Sequence, residues 1–246
     1  MARTYTRPVV LEDAVTHYCP GCGHGIAHRL IAEAIDELGI AERTIGMAPV
    51  GCAVIAYDYF NIDMSEAPHG RTPAVATGIK RARPDCVVFS YQGDGDLAAI
   101  GTAEIIHAAN RGENICVFFV NNAVYGMTGG QMAPTTPVAA KTTTSPYGRN
   151  PENEGFPIKV AELLANFDRV AYSTRVALSS PRNVRAAARA VKRAFLTQIE
   201  RRGFSIVEML SPCPTYWHMA PENALKHIDE SFIKVFPLGV YKDWDK

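Results

Sequence analysis

The chain has 246 residues, of which 47% are apolar and 20% charged, and its formal net charge is zero. This composition is typical of a globular protein with an ample core and excludes a disordered chain. The absence of a basic excess argues against nucleic-acid binding, and a neutral surface favours association with other subunits. The N-terminus lacks the apolar core of a signal peptide, and no apolar stretch is long enough to span a membrane. We therefore expect a single domain over residues 1–246, cytoplasmic and without membrane contact.

Short apolar β-type segments alternate with helical patterns along the chain. This alternation predicts an α/β fold with a mostly parallel sheet flanked by helices. Helical periodicity and stop signals predict helices at 25–38, 73–83, 97–110, 158–166 and 181–202. Apolar runs predict strands at 43–47, 86–91, 114–120, 169–176 and 204–210. The Gly-, Pro- and Thr-rich segment 126–157 is expected to be a functional or partner-covered loop, and the tail beyond Trp217 to be irregular.

Polar side chains follow two of the predicted strands at the points where they end. Gly93-Asp94-Gly95 closes one strand, and Asn121-Asn122 closes the next. Because Mg²⁺ in proteins is bound by carboxylates together with phosphate oxygens, Asp94 and an amide oxygen of Asn122 are candidate ligands for a metal ion that carries a diphosphate. The glycines allow the backbone to approach the phosphates, and a helix starting near Leu97 favours negative charge there. Two ordinary strand-to-helix turns are the alternative interpretation.

The Gly-Asp-Gly and Asn-Asn pair resembles the thiamine pyrophosphate motif. By that resemblance Asp94, the side chain of Asn122 and the main-chain carbonyl of Val124 hold Mg²⁺. The cofactor-binding candidates implied around these ligands are Gly93, Gly95, Asp96, Tyr125, Gly126 and Thr128. The segment from Tyr125 to Gln131 is rich in glycine, so its backbone is suited to surround a diphosphate, with Thr128 donating to a phosphate oxygen. A plain glycine-rich loop is the alternative.

Four of the six cysteines lie in Pro- and Gly-rich turns: Cys19, Cys22, Cys52 and Cys213. The Cys-Pro-Gly-Cys motif precedes the first predicted strand, which argues against a thioredoxin-like dithiol. Four turn cysteines provide the ligands of a Cys₄ site, and their spacing leaves zinc and a [4Fe–4S] cluster both open. The other two cysteines, which we expect to be small buried apolar side chains, are Cys86 and Cys116.

Taken in order, the motifs resemble those of the β subunits of 2-oxoacid:ferredoxin oxidoreductases. The motifs are Cys-Pro-Gly-Cys-Gly-His, Gly-Cys, Gly-Asp-Gly-Asp, Asn-Ala-Val-Tyr-Gly-Met-Thr-Gly-Gly-Gln and Ser-Pro-Cys-Pro-Thr, and they lie between residues 17 and 217. The resemblance implies a thiamine pyrophosphate-binding fold in which Cys19, Cys22, Cys52 and Cys213 ligate a [4Fe–4S] cluster near the thiamine. It also places Cys52 and His24 beside the cofactor.

The same resemblance implies CoA-dependent oxidative decarboxylation of a 2-oxo acid with reduction of ferredoxin. No glutamate that activates thiamine is identified in the sequence, so it is expected on an α subunit, with further clusters on small ferredoxin-like γ and δ subunits. The Thr-Gly-Gly-Gln and Ser-Pro-Cys-Pro-Thr forms look closer to 2-oxoglutarate and branched-chain 2-oxoisovalerate enzymes than to pyruvate enzymes, and do not separate the first two. The alternatives are a pyruvate-type subunit, a non-redox thiamine-dependent decarboxylase module with structural zinc, and a zinc-binding scaffold.

Less specific signals come from two histidines and several arginines. His24 follows the first cysteine motif, and His69 and Arg71 lie in a loop before a predicted helix. Each is a candidate to bond a cofactor or substrate group, with plain solvation as the alternative. The arginine-rich helix at 181–202 is expected to present a solvated face, and docking of ferredoxin or a partner subunit is the alternative.

Overall fold

The computed structural model describes residues 6–245 and is built around a seven-stranded sheet with the strand order β2-β1-β3-β4-β8-β7-β9. Every neighbouring pair is parallel except β7 and β9, which are antiparallel. The strands of this sheet are β1 (Thr44–Ala48), β2 (Asp63–Glu66), β3 (Val87–Gly93), β4 (Cys116–Asn121), β7 (Val170–Ala177), β8 (Phe204–Leu210) and β9 (Gly239–Asp243). A separate antiparallel pair is formed by β5 (Val124–Tyr125) and β6 (Gln131–Met132).

Helices cover both faces of the sheet. They are α1 (His24–Leu38), α2 (Thr72–Ala82), α3 (Thr102–Arg111), α4 (Pro151–Glu154), α5 (Val160–Ala165), α6 (Pro181–Ile199), α7 (Pro214–Trp217), α8 (Pro221–His227) and α9 (Ile233–Val235). A π-helix at Gly95–Ile100 precedes α3, and a second one at Ile228–Phe232 joins α8 to α9. No helix within residues 6–245 combines the length and apolarity needed to cross a bilayer.

The core consists of two apolar layers, one on each side of the sheet. Because successive strand residues point to opposite faces, Phe89 and Phe118 pack with Phe195 of α6 in one layer. Val88 and Phe119, one position along, belong to the other layer, which is covered by α2, α3 and α5. The strands are therefore buried on both faces, which explains why they appear in the sequence as continuous apolar runs.

The predicted mostly parallel sheet flanked by helices is confirmed. The five predicted strands and four of the predicted helices are present with shifted ends, and the helix predicted at 97–110 is divided at Gly101 into the π-helix and α3. The helix predicted at 181–202 ends at Ile199, because Arg201 adopts a positive φ of 55° and Gly203 one of 129°. The strand β2 was missed, because it is a short edge strand of largely polar, partly exposed residues.

The prediction of an irregular tail beyond Trp217 was wrong. Three helical segments and β9 lie there, and β9 pairs with β7. Ile228, Phe232 and Phe236 are buried together against Leu210 in a third apolar cluster. Their spacing of four residues is a helical period, but each segment is too short to give a strong sequence signal.

Candidate functional site

The sequence motifs meet at the carboxyl edge of the sheet. The strands β1, β3, β4 and β8 are consecutive neighbours in the sheet, and all four run parallel. Their carboxyl ends therefore open side by side, at the edge where ligands bind in open α/β sheets. The residues that follow these ends are Pro49–Cys52, Asp94–Asp96, Asn122–Gly126 and Ser211–Cys213.

One cavity at this edge, here called the motif cavity, is lined by every residue predicted to bind the cofactor or Mg²⁺. These residues are His24, Cys52, Gly93, Asp94, Gly95, Asp96, Asn122, Val124, Tyr125, Gly126 and Thr128. Residues far apart in sequence are thus brought together by the parallel strand order.

Asp94 is 2% exposed and begins the π-helix that follows β3. Its Oδ1 accepts a hydrogen bond from the backbone N–H of Gly95 (3.0 Å), and its Oδ2 accepts one from Oγ1 of Thr135 (2.7 Å). Burial raises the pKa of the Asp94 carboxyl to about 7, against the lowering effect of the Thr135 hydrogen bond. A cation beside this carboxyl favours its charged form, so the donor set suits a divalent metal ion.

The two asparagines at the end of β4 face opposite ways. Asn121 is fully buried, and its Nδ2 donates to Oε1 of Glu208 at 2.7 Å. Asn122 lines the motif cavity, and its Oδ1 accepts from the N–H of Val124 at 3.2 Å. Ala123, which lies between Asn122 and Val124, has a positive φ of 65°. This conformation costs a non-glycine residue of order 1 kcal/mol. The strained turn gives Asn122 and Val124 their placement at the cavity.

The glycine of the motif is required by the ring of Tyr125. A Cβ at Gly95 would lie 2.3 Å from Cε1 of that ring, so any side chain here would displace it. The same ring lines the motif cavity. Gly95 thus lets the Tyr125 ring pack directly against the backbone in the wall of the cavity.

The carboxylate of Asp96 is turned toward loops of this chain. Its Oδ1 accepts from the N–H of Gly70 (2.9 Å) and of Val50 (3.3 Å), and its Oδ2 accepts from Nε2 of Gln92 (2.6 Å). Asp96 lines the motif cavity as predicted, but these bonds engage both carboxylate oxygens.

The four turn cysteines line a second cavity, of about 200 Å³, here called the cysteine cavity. Cys19 is exposed, Cys22 and Cys52 are partly buried, and Cys213 is buried. Burial, reinforced by the neighbouring cysteines, raises the pKa of Cys22, of Cys52 to about 12 and of Cys213 to about 11. Thiolates that converge in this way need a positively charged group between them.

Zinc and an iron–sulfur cluster differ in how closely they gather cysteine sulfurs. Within residues 6–245, no three His, Cys, Asp or Glu side chains lie close enough together to hold one metal ion. Tetrahedral zinc needs its four sulfurs within about 2.3 Å of the ion. A [4Fe–4S] cluster binds each cysteine to a different iron and accepts wider spacing.

The two cavities share a wall that includes Cys52, Asn122, Gly126 and Met127. A Cβ at Gly126 would lie 2.9 Å from Sγ of Cys52 and 3.9 Å from Sγ of Cys213, so the backbone passes directly against these sulfurs. A group bound among the cysteines is therefore separated from the motif cavity by a single layer of residues.

The remaining predicted residues differ in whether the structure places them at the motif cavity. His24 is 3% exposed, and its Nδ1 is 2.6 Å from the hydroxyl of Tyr91, so its ring is fixed in the cavity wall. His69 also lines the motif cavity, whereas Arg71 is half-exposed and ion-paired with Glu104.

Two predictions concern residues away from the cavity. Cys86 and Cys116 are buried, which confirms that prediction. The arginines on α6 that are exposed, as expected of a solvated face, are Arg182, Arg185 and Arg189.

Sequence reasoning missed two residues that support the site. Thr135 bonds Asp94 from within the loop that follows β6, and His17 places Nε2 2.7 Å from the carbonyl of Cys52. Neither belongs to a motif. The position of Thr135 among threonines and prolines was the only signal, and it does not distinguish that residue from its neighbours.

Comparison with known proteins identifies the class to which this fold belongs, the thiamine pyrophosphate enzymes. Residues 49–209 match the family "Thiamine pyrophosphate enzyme, C-terminal TPP binding domain". A 2-oxoglutarate:ferredoxin oxidoreductase from Magnetococcus marinus has the same fold, with a TM-score of 0.78 and 24% identity over 98% of this chain and 86% of that one.

Curated relatives identify the family within this class. The ketoisovalerate oxidoreductase subunit VorA of Methanothermobacter thermautotrophicus is 54% identical over 93% of this chain, and the match covers 48% of that protein. The 2-oxoglutarate synthase subunit KorB of Archaeoglobus fulgidus is 37% identical over 94% of this chain and 82% of that protein. The chain thus spans about half the length of the ketoisovalerate relatives. It belongs to the family of 2-oxoacid:ferredoxin oxidoreductase β subunits.

Proposed function

We propose that this chain acts as one thiamine pyrophosphate-binding domain, the β subunit of an enzyme that converts a 2-oxo acid and coenzyme A to acyl-CoA and CO₂ while reducing ferredoxin. The observation that carries the proposal is the shared wall between the motif cavity and the cysteine cavity, formed in part by Cys52 and Gly126. A thiamine enzyme without electron transfer has no need for four cysteines against its cofactor cavity. The close sulfurs favour a redox role.

Asp94, Asn122 and the carbonyl of Val124 would hold Mg²⁺, and Thr128 with the backbone of Gly93 and Gly126 would receive the diphosphate. Thiamine pyrophosphate, when bound, supplies a nucleophilic carbon and an electron sink for the loss of CO₂. The chain's own part is to fix that cofactor: Thr135 and the N–H of Gly95 orient the Asp94 carboxylate, and the Ala123 turn orients Asn122. Tyr125 covers Gly95 and closes one side of the cavity.

Cys19, Cys22, Cys52 and Cys213 would ligate a [4Fe–4S] cluster, which supplies an acceptor for single electrons. His17 and Tyr18 lie in the wall of the same cavity, and His17 holds the carbonyl of Cys52. These contacts fix the cysteine that lies against both cavities.

For the substrate we propose a branched-chain 2-oxo acid such as 2-oxoisovalerate. No lysine or arginine among the described residues lines the motif cavity, whereas Val50, Ala53 and Met127 do. This lining offers no fixed cation for a second carboxylate and suits an apolar side chain. The second candidate is 2-oxoglutarate, which is favoured by the high coverage of the KorB relative.

The partners that we propose are an α subunit, small ferredoxin-like γ and δ subunits, and ferredoxin. In the described residues no glutamate lines the motif cavity, so the group that activates thiamine would come from α. The exposed apolar side chains Met127, Tyr147 and Phe156 lie in and after the glycine-rich segment, where a partner chain would cover them.

The test is to co-express the chain, or its Cys213→Ser variant, with the partner subunits and to purify both complexes without oxygen. The difference in iron and zinc between the two complexes reports on the cysteine site, and turnover of three 2-oxo acids with CoA and ferredoxin reports on the substrate. Iron in the cysteine site with fastest turnover of 2-oxoisovalerate supports the proposal. Fastest turnover of 2-oxoglutarate or pyruvate would reassign the substrate. Loss of zinc and not of iron in the Cys213→Ser complex would contradict the electron-transfer role.

A further inference from the structure

Two aromatic rings flank the turn that carries Cys19 and Cys22. Tyr18 directly precedes this turn, and His24 follows it at the start of α1. The two rings are stacked, with their centroids 4.6 Å apart and their planes inclined by 14°. Tyr18 lines the cysteine cavity, whereas His24 lines the motif cavity. The stack therefore links the walls of the two cavities and joins the two ends of the cysteine turn.

Both rings of the stack are held by buried partners. The hydroxyl of Tyr18 lies 3.1 Å from Nε2 of His28, and Nδ1 of His24 lies 2.6 Å from the hydroxyl of Tyr91. His28 and Tyr91 are themselves buried, with their ring centroids 4.9 Å apart. Neither ring of the stack can turn without breaking a hydrogen bond to a buried group, so the stack has a defined position.

The turn between the two rings is tight. The N–H of Cys22 donates to the carbonyl oxygen of Cys19 at 3.1 Å, and Gly21 has a positive φ of 80°, the conformation that a type II turn needs at its third position. A Cβ at Gly21 would lie 2.4 Å from Cβ of Pro221, so the turn packs directly against the start of α8. These contacts fix the path of the turn, and its direction is set at its two ends, where the rings stack.

The ring of Tyr18 also affects how water reaches the cysteine cavity. Cys19 is exposed, so the cavity is open to water beside that sulfur. Tyr18 is partly buried and contributes a flat ring to the wall. A side chain without a ring would leave this part of the wall open.

We propose that Tyr18 is a positioning residue for the cysteine site: its ring, stacked on His24, clamps the turn that carries Cys19 and Cys22 and keeps water from one side of the group bound there. The assignment rests on the proposed function, because it presumes that the cysteine cavity holds an iron–sulfur cluster. Loss of the ring would let the two thiolates move, which weakens the hold on the cluster. It would also admit water, which stabilises the more negative, reduced form of the cluster and so raises its reduction potential.

The experiment compares assembled complexes, purified without oxygen, that carry the wild-type chain, Tyr18→Phe, Tyr18→Leu or Tyr18→Met. Phenylalanine keeps the flat ring and removes only the hydroxyl, whereas leucine and methionine remove the ring. Methionine is included because its flexible side chain fills the space if leucine prevents assembly. Tyr57→Leu is the matched control, at a tyrosine that is 41% exposed and lines neither cavity.

Two quantities are measured for each complex: the rate of iron release to a chelator, and the reduction potential from a titration followed by electron paramagnetic resonance. The Cys213→Ser complex supplies the iron and the resonance signals that belong to other subunits, and these are subtracted. The remainder reports on the cysteine site alone.

Iron release is expected to be about 10- to 100-fold faster in Tyr18→Leu and Tyr18→Met, as for other residues that orient metal ligands, and the potential to shift to a more positive value. Tyr18→Phe and Tyr57→Leu should remain close to the wild type. Unchanged release and potential in both ringless variants overturns the assignment. Equal changes in Tyr18→Phe and Tyr18→Leu overturn it as well, because they would assign the effect to the hydroxyl.

Faster release with an unchanged potential also overturns the assignment, since a general loss of stability has that effect. A wild-type complex in which no iron belongs to the cysteine site overturns the proposed function and this assignment together. Iron in that site of the wild type, with no response to loss of the Tyr18 ring, overturns the assignment alone.

Discussion

Asn121 and Glu208 are joined across two neighbouring strands by a hydrogen bond of 2.7 Å, at the point where β4 delivers Asn122 to the motif cavity. Glu208 is fully buried, and its Oε2 is 2.9 Å from Nη2 of Arg175, which is also fully buried and paired with Glu162. The network ties β4, β8 and β7, three neighbouring strands, to the residue beside the candidate metal ligand. The position of Asn122 at the motif cavity therefore depends on this network.

Arg175→Met is expected to destabilise the fold by about 3–5 kcal/mol, because it leaves Glu208 as an unpaired buried charge. The measurement is anaerobic denaturant unfolding. Arg83→Met is the matched control, because Arg83 forms an exposed pair with Asp85 and its loss should leave stability nearly unchanged. Equal effects of the two changes would show that the buried network is not stabilising.

Asp94→Asn is expected to abolish Mg²⁺-dependent binding of thiamine pyrophosphate and the activity of the complex. The amide keeps a hydrogen-bond acceptor for Gly95 but removes the charge that a hard cation needs. Calorimetric titration with and without Mg²⁺ measures the change. Asp58→Asn, at an exposed aspartate, is the control and should bind normally. Metal-dependent binding that persisted in Asp94→Asn would place the metal ion elsewhere.

Cys213→Ser is expected to remove the visible absorption and most of the iron of the anaerobic protein, because it takes one thiolate from the cysteine cavity. Cys86→Ala should retain both, since Cys86 is buried immediately before β3 and lines neither cavity. Iron and sulfide assays of the two variants give the comparison. Equal iron content in the two variants would show that the cysteine cavity does not hold the iron.

Much of the site was accessible from the sequence for a topological reason. Asp94 and Asn122 follow consecutive buried strands, and consecutive parallel strands here are also neighbours, so their ends must meet. Thr135 was not accessible, because its bond to Asp94 depends on the path of a loop without periodicity. The orientation of Asp96 was not accessible either, because its partners Val50 and Gly70 come from other strand ends and a sequence motif does not say which way a carboxylate turns.

Gly126→Ala is expected to weaken retention of the cluster, because the added methyl would lie 2.9 Å from Sγ of Cys52 and push that ligand aside. The rate of iron release to a chelator measures the effect and should rise several-fold. Gly78→Ala is the control: it lies within α2, a Cβ there meets nothing within 4 Å, and alanine should raise helix stability by roughly 0.5–1 kcal/mol. Unchanged iron release in Gly126→Ala would mean that the shared wall tolerates a side chain.

The protein is expected to lose stability in acid through His28. Burial is the main reason that the pKa of His28 lies well below its usual value of 6.5, and the ring is 2% exposed with only Nε2 bonded, at 3.1 Å from the hydroxyl of Tyr18. A histidine whose folded-state pKa is lowered stabilises the fold above its unfolded pKa, and that stability is lost as the pH falls below 6.5, because the unfolded chain binds the proton.

Between pH 7.5 and 5.5 this linkage lowers the free energy of unfolding by about 1.4 kcal/mol for one such histidine. His28→Gln, which keeps a polar partner for Tyr18 but does not titrate, should therefore lose about 1.4 kcal/mol less than the wild type over that range. His107→Gln, at the exposed histidine of α3, should follow the wild type. Urea unfolding of the three proteins at both pH values measures the difference, and any contribution from the cysteine site is common to all three and cancels. Parallel losses in wild type and His28→Gln would show that His28 accepts a proton within the folded protein.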